Sequence, residues 1–238
     1  MIYNDNKVEG IESKKSEAFF QLLKKLVENG VPIHGAGMQA HFNAAGVKLN
    51  RIPSPMSIRN QIRRIGELGL KVNISEMDVR ISKLPPPSSI KAISAIENKE
   101  MEKIGLLKDI TSTDTYRSFV QYKIYRDILT AALAEPAFDG IWFWGFTDKH
   151  TWVKHFYYDD SPLLFDEEYR KKASYYGVKE ALETVATGKV MLDMDYESQR
   201  TWGHEWMQPE PESQSESKLN RTEVKDSKGS DKPDWQQS

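Results

Sequence analysis

Short apolar segments alternate with stretches of helical periodicity along most of this chain, and that alternation limits its possible folds more than any other feature. The apolar runs fall at residues 1–4, 31–39, 70–78 and 140–148, each of strand length and each followed by a helical stretch. In residues 14–29, Phe19, Leu22, Leu23 and Leu26 share one face and Gly30 supplies the stop. Further on, Ser54 and Pro55 make an N-cap and a first-turn proline, Ile58, Ile62 and Ile65 form a buried stripe, and Gly69 ends the run. Two more helices are expected over 115–134 and 171–187. Residues 82–113, which contain Pro85-Pro86-Pro87, read as a loop inserted above the strand ends. Four strand-helix units of this kind predict a parallel α/β sheet, either open and doubly wound or part of an eight-fold barrel.

The chain opens on the strand-like run Met1-Ile2-Tyr3-Asn4-Asp5 with no leader or capping element before it, the pattern of a start placed mid-domain. From about residue 191 the sequence turns polar and loses all periodicity, as in Pro209-Glu210-Pro211-Glu212-Ser213. The expected division is a catalytic domain over 1–190 and a disordered tail over 191–238, the tail holding the isolated Trp202 and Trp206.

Composition narrows the function. The 33 basic and 35 acidic side chains nearly cancel, so no net field steers the chain toward nucleic acid or an anionic membrane. No apolar run approaches the roughly 18 residues of a spanning helix. With no cysteine there is no disulfide framework and no thiolate metal site, and no histidine spacing suggests another metal. A neutral partner and no cofactor are expected.

The strand ends then gather polar groups: Asn4 and Asp5, Gln39 and His41, Glu76 and Asp78, and Trp144. Barrel enzymes place their chemistry at this rim. The i, i+2 spacing in Met38-Gln39-Ala40-His41 and Ser75-Glu76-Met77-Asp78 puts each polar pair on one strand face. A retaining glycosidase needs a carboxylate at the anomeric carbon, hydrogen bonds to the neighbouring hydroxyl, and a second carboxyl about 5 Å away as acid and base. Glu76 fits the nucleophile, with His41 orienting it, Asp78 fixing the imidazole tautomer, and Gln39 donating to sugar hydroxyls. Trp144 and Trp152 offer flat faces to pyranose rings, and His150 between them is placed to touch substrate. Alternation sets Trp142 on the side of Trp144, where it is expected to fill an interior. His34 reads as a mid-strand structural residue, and His155 and His204 as surface. Of two glycosylation patterns, Asn73-Ile74-Ser75 falls in a buried strand, leaving Asn220.

Over residues 1–187 these motifs resemble glycoside hydrolase family 10, the endo-1,4-β-xylanases. Tyr3-Asn4-Asp5 is similar to the end of the family's fifth strand, Gly35-Ala36-Gly37-Met38-Gln39-Ala40-His41 to the sixth, and Ile74-Ser75-Glu76-Met77-Asp78-Val79 to the nucleophile-bearing seventh. Trp144-Gly145-Phe146-Thr147-Asp148-Lys149 with Trp152 resembles the eighth, and Pro162-Leu163-Leu164-Phe165-Asp166 the loop after it. The resemblance implies a (β/α)8 TIM barrel of which only strands five to eight are present. It makes Glu76 the nucleophile of a retaining xylanase, His41 and Asp78 its hydrogen-bonding network, Gln39 a sugar contact, and Trp144 and Trp152 the lining of the glycone subsites. Asn4 belongs to the same rim.

The family's acid/base glutamate sits in a Trp-Asp-Val-Val-Asn-Glu-like segment that this sequence lacks, so the chain alone is expected to be inactive, and to aggregate, pair with a missing N-terminal half or stay partly unfolded. Asn6, followed by Lys7, stands where the family has an aromatic residue after Asn-Asp, which is expected to alter leaving-group binding, and Lys172 stands near a common family proline. Secretion is implied for full-length members. A half-barrel that binds β-linked polysaccharide without cleaving it, and a related β-glucanase, are the competing readings.

Overall fold

Strand β4 (Lys71–Arg80) is the axis of the sheet in the computed structural model, which describes residues 1–45, 52–84 and 113–188. Around it lie β1 (Ile2–Asp5), β2 (Gly35–Met38), β3 (His41–Asn43) and β5 (Phe138–Phe143), every pairing parallel. β1 pairs with β2, β2 with residues 71–74 of β4, and β3 with residues 78–80 of the same strand, while β5 also pairs with β4. β2 and β3 are therefore two pieces of one strand position, broken where Ala40 takes a φ of 61°. The four expected strand positions are present, each followed by a helix: α1 (Lys14–Glu28), α2 (Pro55–Gly66), α3 (Thr113–Leu133), and after β5 the short α4 (Trp152–Phe156) and α5 (Ala173–Ala186).

Local chemistry explains the helices. The Ser54 hydroxyl accepts the Ser57 amide at 3.1 Å, Pro55 opens α2, and Ile58, Ile62 and Ile65 are all buried, as the spacing requires. Ser13 caps α1 in the same way through the Ser16 amide, and Gly30 turns the chain with a φ of 68° that favours glycine. The buried face of α1 is narrower than expected: Phe19 and Leu23 are covered but Leu22 is exposed, because Ser16, Phe19 and Leu23 define the line that meets the core. α3 packs between α2 and α5. Gly177 permits the second contact, since a Cβ there would fall 2.4 Å from the Tyr122 carbonyl oxygen.

One face of the sheet is covered by helices. Tyr3 packs on Phe19 of α1 and Phe143 on Tyr125 of α3, with ring centroids 5.7 and 6.0 Å apart. Alternate residues point the other way, and there Ile2 and Trp142 are 53% and 55% exposed. Trp142 thus does not fill an interior among the described residues, because none of their elements covers this second face. His34 is also not mid-strand; it is exposed just before β2, with Nδ1 2.6 Å from the Met1 amino group. Asn73 is buried as expected. The polyproline insertion, the 191–238 tail with Trp202, His204 and Trp206, and Asn220 lie outside the described residues. No helix among the described residues is long and apolar enough to cross a membrane.

Candidate active site

Glu76 lies on β4 just past the last residue paired with β2, so its carboxylate emerges where β2 gives way to β3. Each of its oxygens is held from a different strand position, one of them two positions away. Asn4 Nδ2, from β1, donates to Oε1 at 3.1 Å, and His41 Nε2, from β3, lies 3.3 Å from Oε2. The orientation of the Asn4 amide is set by Ser75, whose hydroxyl donates to Asn4 Oδ1 at 2.8 Å and so turns the NH2 group toward Glu76. Gly37 is opposite Asn4 in the register, and a Cβ there would lie 2.5 Å from Asn4 Oδ1. Glycine at 37 leaves room for this amide.

The second ring nitrogen of His41 faces Asp78, Nδ1 to Oδ2 at 2.9 Å. Asp78 is fully buried, and its Oδ2 also accepts the Trp152 indole N–H at 2.7 Å. Burial pulls His41 down, but the hydrogen bonds and charges of Asp78 and Glu76 together outweigh it, so its titration lies above the ordinary histidine range. A protonated imidazole has two N–H donors, which matches two carboxylate partners. Trp144 approaches the His41 ring edge-on at 6.5 Å and is half exposed; Trp152 is at 5.0 Å.

The structure therefore gathers Asn4, His41, Glu76, Asp78, Trp144 and Trp152. The other three expected residues stand apart. Gln39 is half-buried, its backbone N–H donates to the Asp5 carbonyl, and among the described residues none hydrogen bonds with its side chain. The left-handed Ala40 breaks the strand between Gln39 and His41, so i, i+2 alternation does not apply to that pair. Asn6 accepts Lys15 Nζ through its carbonyl and side-chain oxygens, together with Asp5, and faces α1. His150 is exposed on the 3-10 turn Asp148–His150.

Sequence reasoning missed the supports. Asp148, beneath the Trp152 loop, accepts the Leu163 amide at 2.8 Å and pairs with Lys172 Nζ at 2.7 Å. Lys172 also donates to the Ser161 and Leu163 carbonyls. Burial pushes Asp148 up and Lys172 down, and their mutual attraction offsets part of each shift. Asp160 accepts the Ile81 and Ser82 amides where β4 ends. Lys172 follows the charged run Asp166 to Lys171, so nothing local in the sequence signalled a buried amine, and its carboxylate partner lies 24 residues earlier.

Residues 1–181 match the model of glycosyl hydrolase family 10. The chain belongs to that family. Among curated proteins it is 33% identical over 184 residues to endo-1,4-beta-xylanase B of Thermotoga neapolitana, covering 77% of this chain and 43% of that protein. It is 32% identical over 169 residues to an endo-1,4-beta-xylanase of Geobacillus stearothermophilus, covering 69% and 44%. Among solved structures, xylanase 10B from Thermotoga petrophila RKU-1 in complex with xylobiose superposes with a TM-score of 0.57 at 36% identity, covering 77% of this chain and 46% of that one. The chain thus spans less than half the length of the relatives it matches. The family 10 fold is the (β/α)8 barrel, and the parallel sheet with its following helices is compatible with part of one.

Proposed function

We propose that the chain carries the nucleophile-bearing part of a retaining endo-1,4-β-xylanase site, with its described strands as strands five to eight of the barrel. Glu76 is the nucleophile, with one oxygen fixed by Asn4 and the other by His41, and that two-sided restraint of a single carboxylate carries the reading. His41 is the orienting group, and Asp78 fixes its ring with Trp152 completing the network. Trp144 and Trp152 supply the apolar faces against which xylose units stack; of the other sugar contacts the sequence suggested, Gln39 and His150 are kept as outer contacts for hydroxyls of a xylo-oligosaccharide, while Asn6, whose oxygens accept Lys15 Nζ, is not.

In the first step, a Glu76 oxygen forms a bond to the anomeric carbon as the glycosidic C–O bond breaks, and the leaving oxygen takes the bonding pair. On xylan that oxygen needs a proton from a second carboxyl. The Trp-Asp-Val-Val-Asn-Glu-like segment that resembles the family's acid is not in this sequence, so turnover of xylan requires a group from outside it, such as a barrel half that closes on the open face.

A leaving group that departs as a stable anion removes that requirement and isolates the role of Glu76. The 2,4-dinitrophenyl glycoside of 2-deoxy-2-fluoroxylobiose is expected to label the chain once, at Glu76, by intact mass and peptide mapping. Glu76→Gln is expected to abolish labelling while leaving xylo-oligosaccharide binding nearly intact. Label on another residue, or undiminished label on the variant, overturns the assignment. Binding of xylohexaose without any labelling supports instead a chain that holds polysaccharide and does not attack it.

A further inference from the structure

The residue that places His41 is not in the cluster. His41 follows Ala40, whose φ of 61° lies in the left-handed region that is strained for a non-glycine residue. A strained residue persists only where its surroundings determine it. Glu9, a carboxylate only 5% exposed, meets this turn, its Oε1 accepting the Ala40 amide at 2.8 Å. The same segment contains a second left-handed residue, Lys7 at φ 56°, whose amide also stabilises the charged form of the Glu9 carboxyl. Glu9 thus ties the turn after β1, the strand of Asn4, to the turn after β2, which delivers His41. The segment is itself held, since the Val8 carbonyl accepts Gln61 Nε2 from α2 at 2.7 Å. On the other side of the turn, the Ala40 carbonyl accepts the Asp78 amide at 3.3 Å. The backbone of residue 40 is therefore fixed at both its N–H and its C=O, and the His41 ring leaves it already directed at Glu76 and Asp78.

We infer that Glu9 is a positioning residue for the nucleophile, acting through the Ala40 amide to hold the left-handed turn that presents His41 to Glu76. The inference rests on the reading of Glu76 as nucleophile. Glu9 touches no substrate; its oxygen serves as an acceptor. Burial pushes its carboxyl above the usual range, and the amides of Ala40, Glu9 and Lys7 and the charge of His41 offset part of that. An uncharged acceptor of the same shape should therefore serve.

Glu9→Gln and Glu9→Leu in the full 238-residue chain make the test, because both are uncharged and only glutamine keeps an acceptor. His41 is followed by NMR titration of its ring nitrogens, and Glu76 by labelling with the dinitrophenyl fluoroxylobioside. In Glu9→Leu the His41 midpoint is expected to fall toward the ordinary ~6.5 and labelling to slow roughly tenfold or more. Glu9→Gln is expected to keep both near the wild-type values. Equal His41 midpoints in folded leucine and glutamine variants overturn the inference. If Glu9→Leu does not fold, it is placed in an Ala40→Gly background, where glycine takes the same φ without strain. Folding there supports the inference, and failure there overturns it by showing that Glu9 serves the fold and not the turn. A wild-type chain that takes no label refutes the nucleophile reading, while the His41 comparison still decides the role of Glu9.

Discussion

His41 is the residue on which the site's charge turns. Its folded-state titration is raised, so its protonated form contributes stability that is fully present below the unfolded value of ~6.5 and lost as pH rises through the folded value. The melting-temperature gap between the wild-type chain and His41→Gln is expected to be largest on the acid side of ~6.5 and to shrink above the folded midpoint. A gap that is constant with pH would mean that the imidazolium does not pair with Glu76 and Asp78. These three residues were legible in the sequence because their chemistry lies at strand ends and their spacing sets them on one rim. Ser75 and Glu9 were not: a serine beside a glutamate and one more acidic residue in a charged loop are unremarkable until neighbouring strands bring Asn4 and Ala40 against them.

At the scale of elements, α2 is fastened to the segment after α3 by a buried carboxylate. Glu135 is 6% exposed; Arg59 Nε reaches its Oε1 at 2.5 Å and Arg63 contacts both of its oxygens. Burial raises the Glu135 carboxyl, but the hydrogen bonds and charges of Arg63 and Arg59 outweigh it and hold it below the usual range. Glu135→Ala removes the carboxylate that joins Arg59 and Arg63 and is expected to cost about 1–3 kcal/mol in urea unfolding. A loss below about 1 kcal/mol would show that solvent already screens the pair. The helices themselves were readable from caps and apolar stripes, α2 above all. The division of the second strand position into β2 and β3 was not, because Gln39-Ala40-His41 carries no glycine, proline or other turn residue and the break is set by a carboxylate 31 residues away from Ala40.

For the whole molecule, the uncovered sheet face is the feature with the largest consequence. β1 and β5 each pair on one side only among the described residues, and Met1, Ile2, Trp142 and Trp144 are between 50% and 62% exposed. Unpaired edges beside apolar surface are templates for further strands. Sedimentation velocity is expected to show mass rising with protein concentration, reduced by Ile2→Ser with Trp142→Ser; a single monomer at all concentrations would contradict this. The site nevertheless has an internal reference. Ser75, Glu76 and Asp78 sit on β4; Asn4 and His41 each bond directly to two of them and Trp152 to one. Positional error in such an arrangement does not accumulate from one support to the next, because every support is one bond from the same datum. Sequence drift in the surrounding loops and helices can then displace one member of the site without displacing the others.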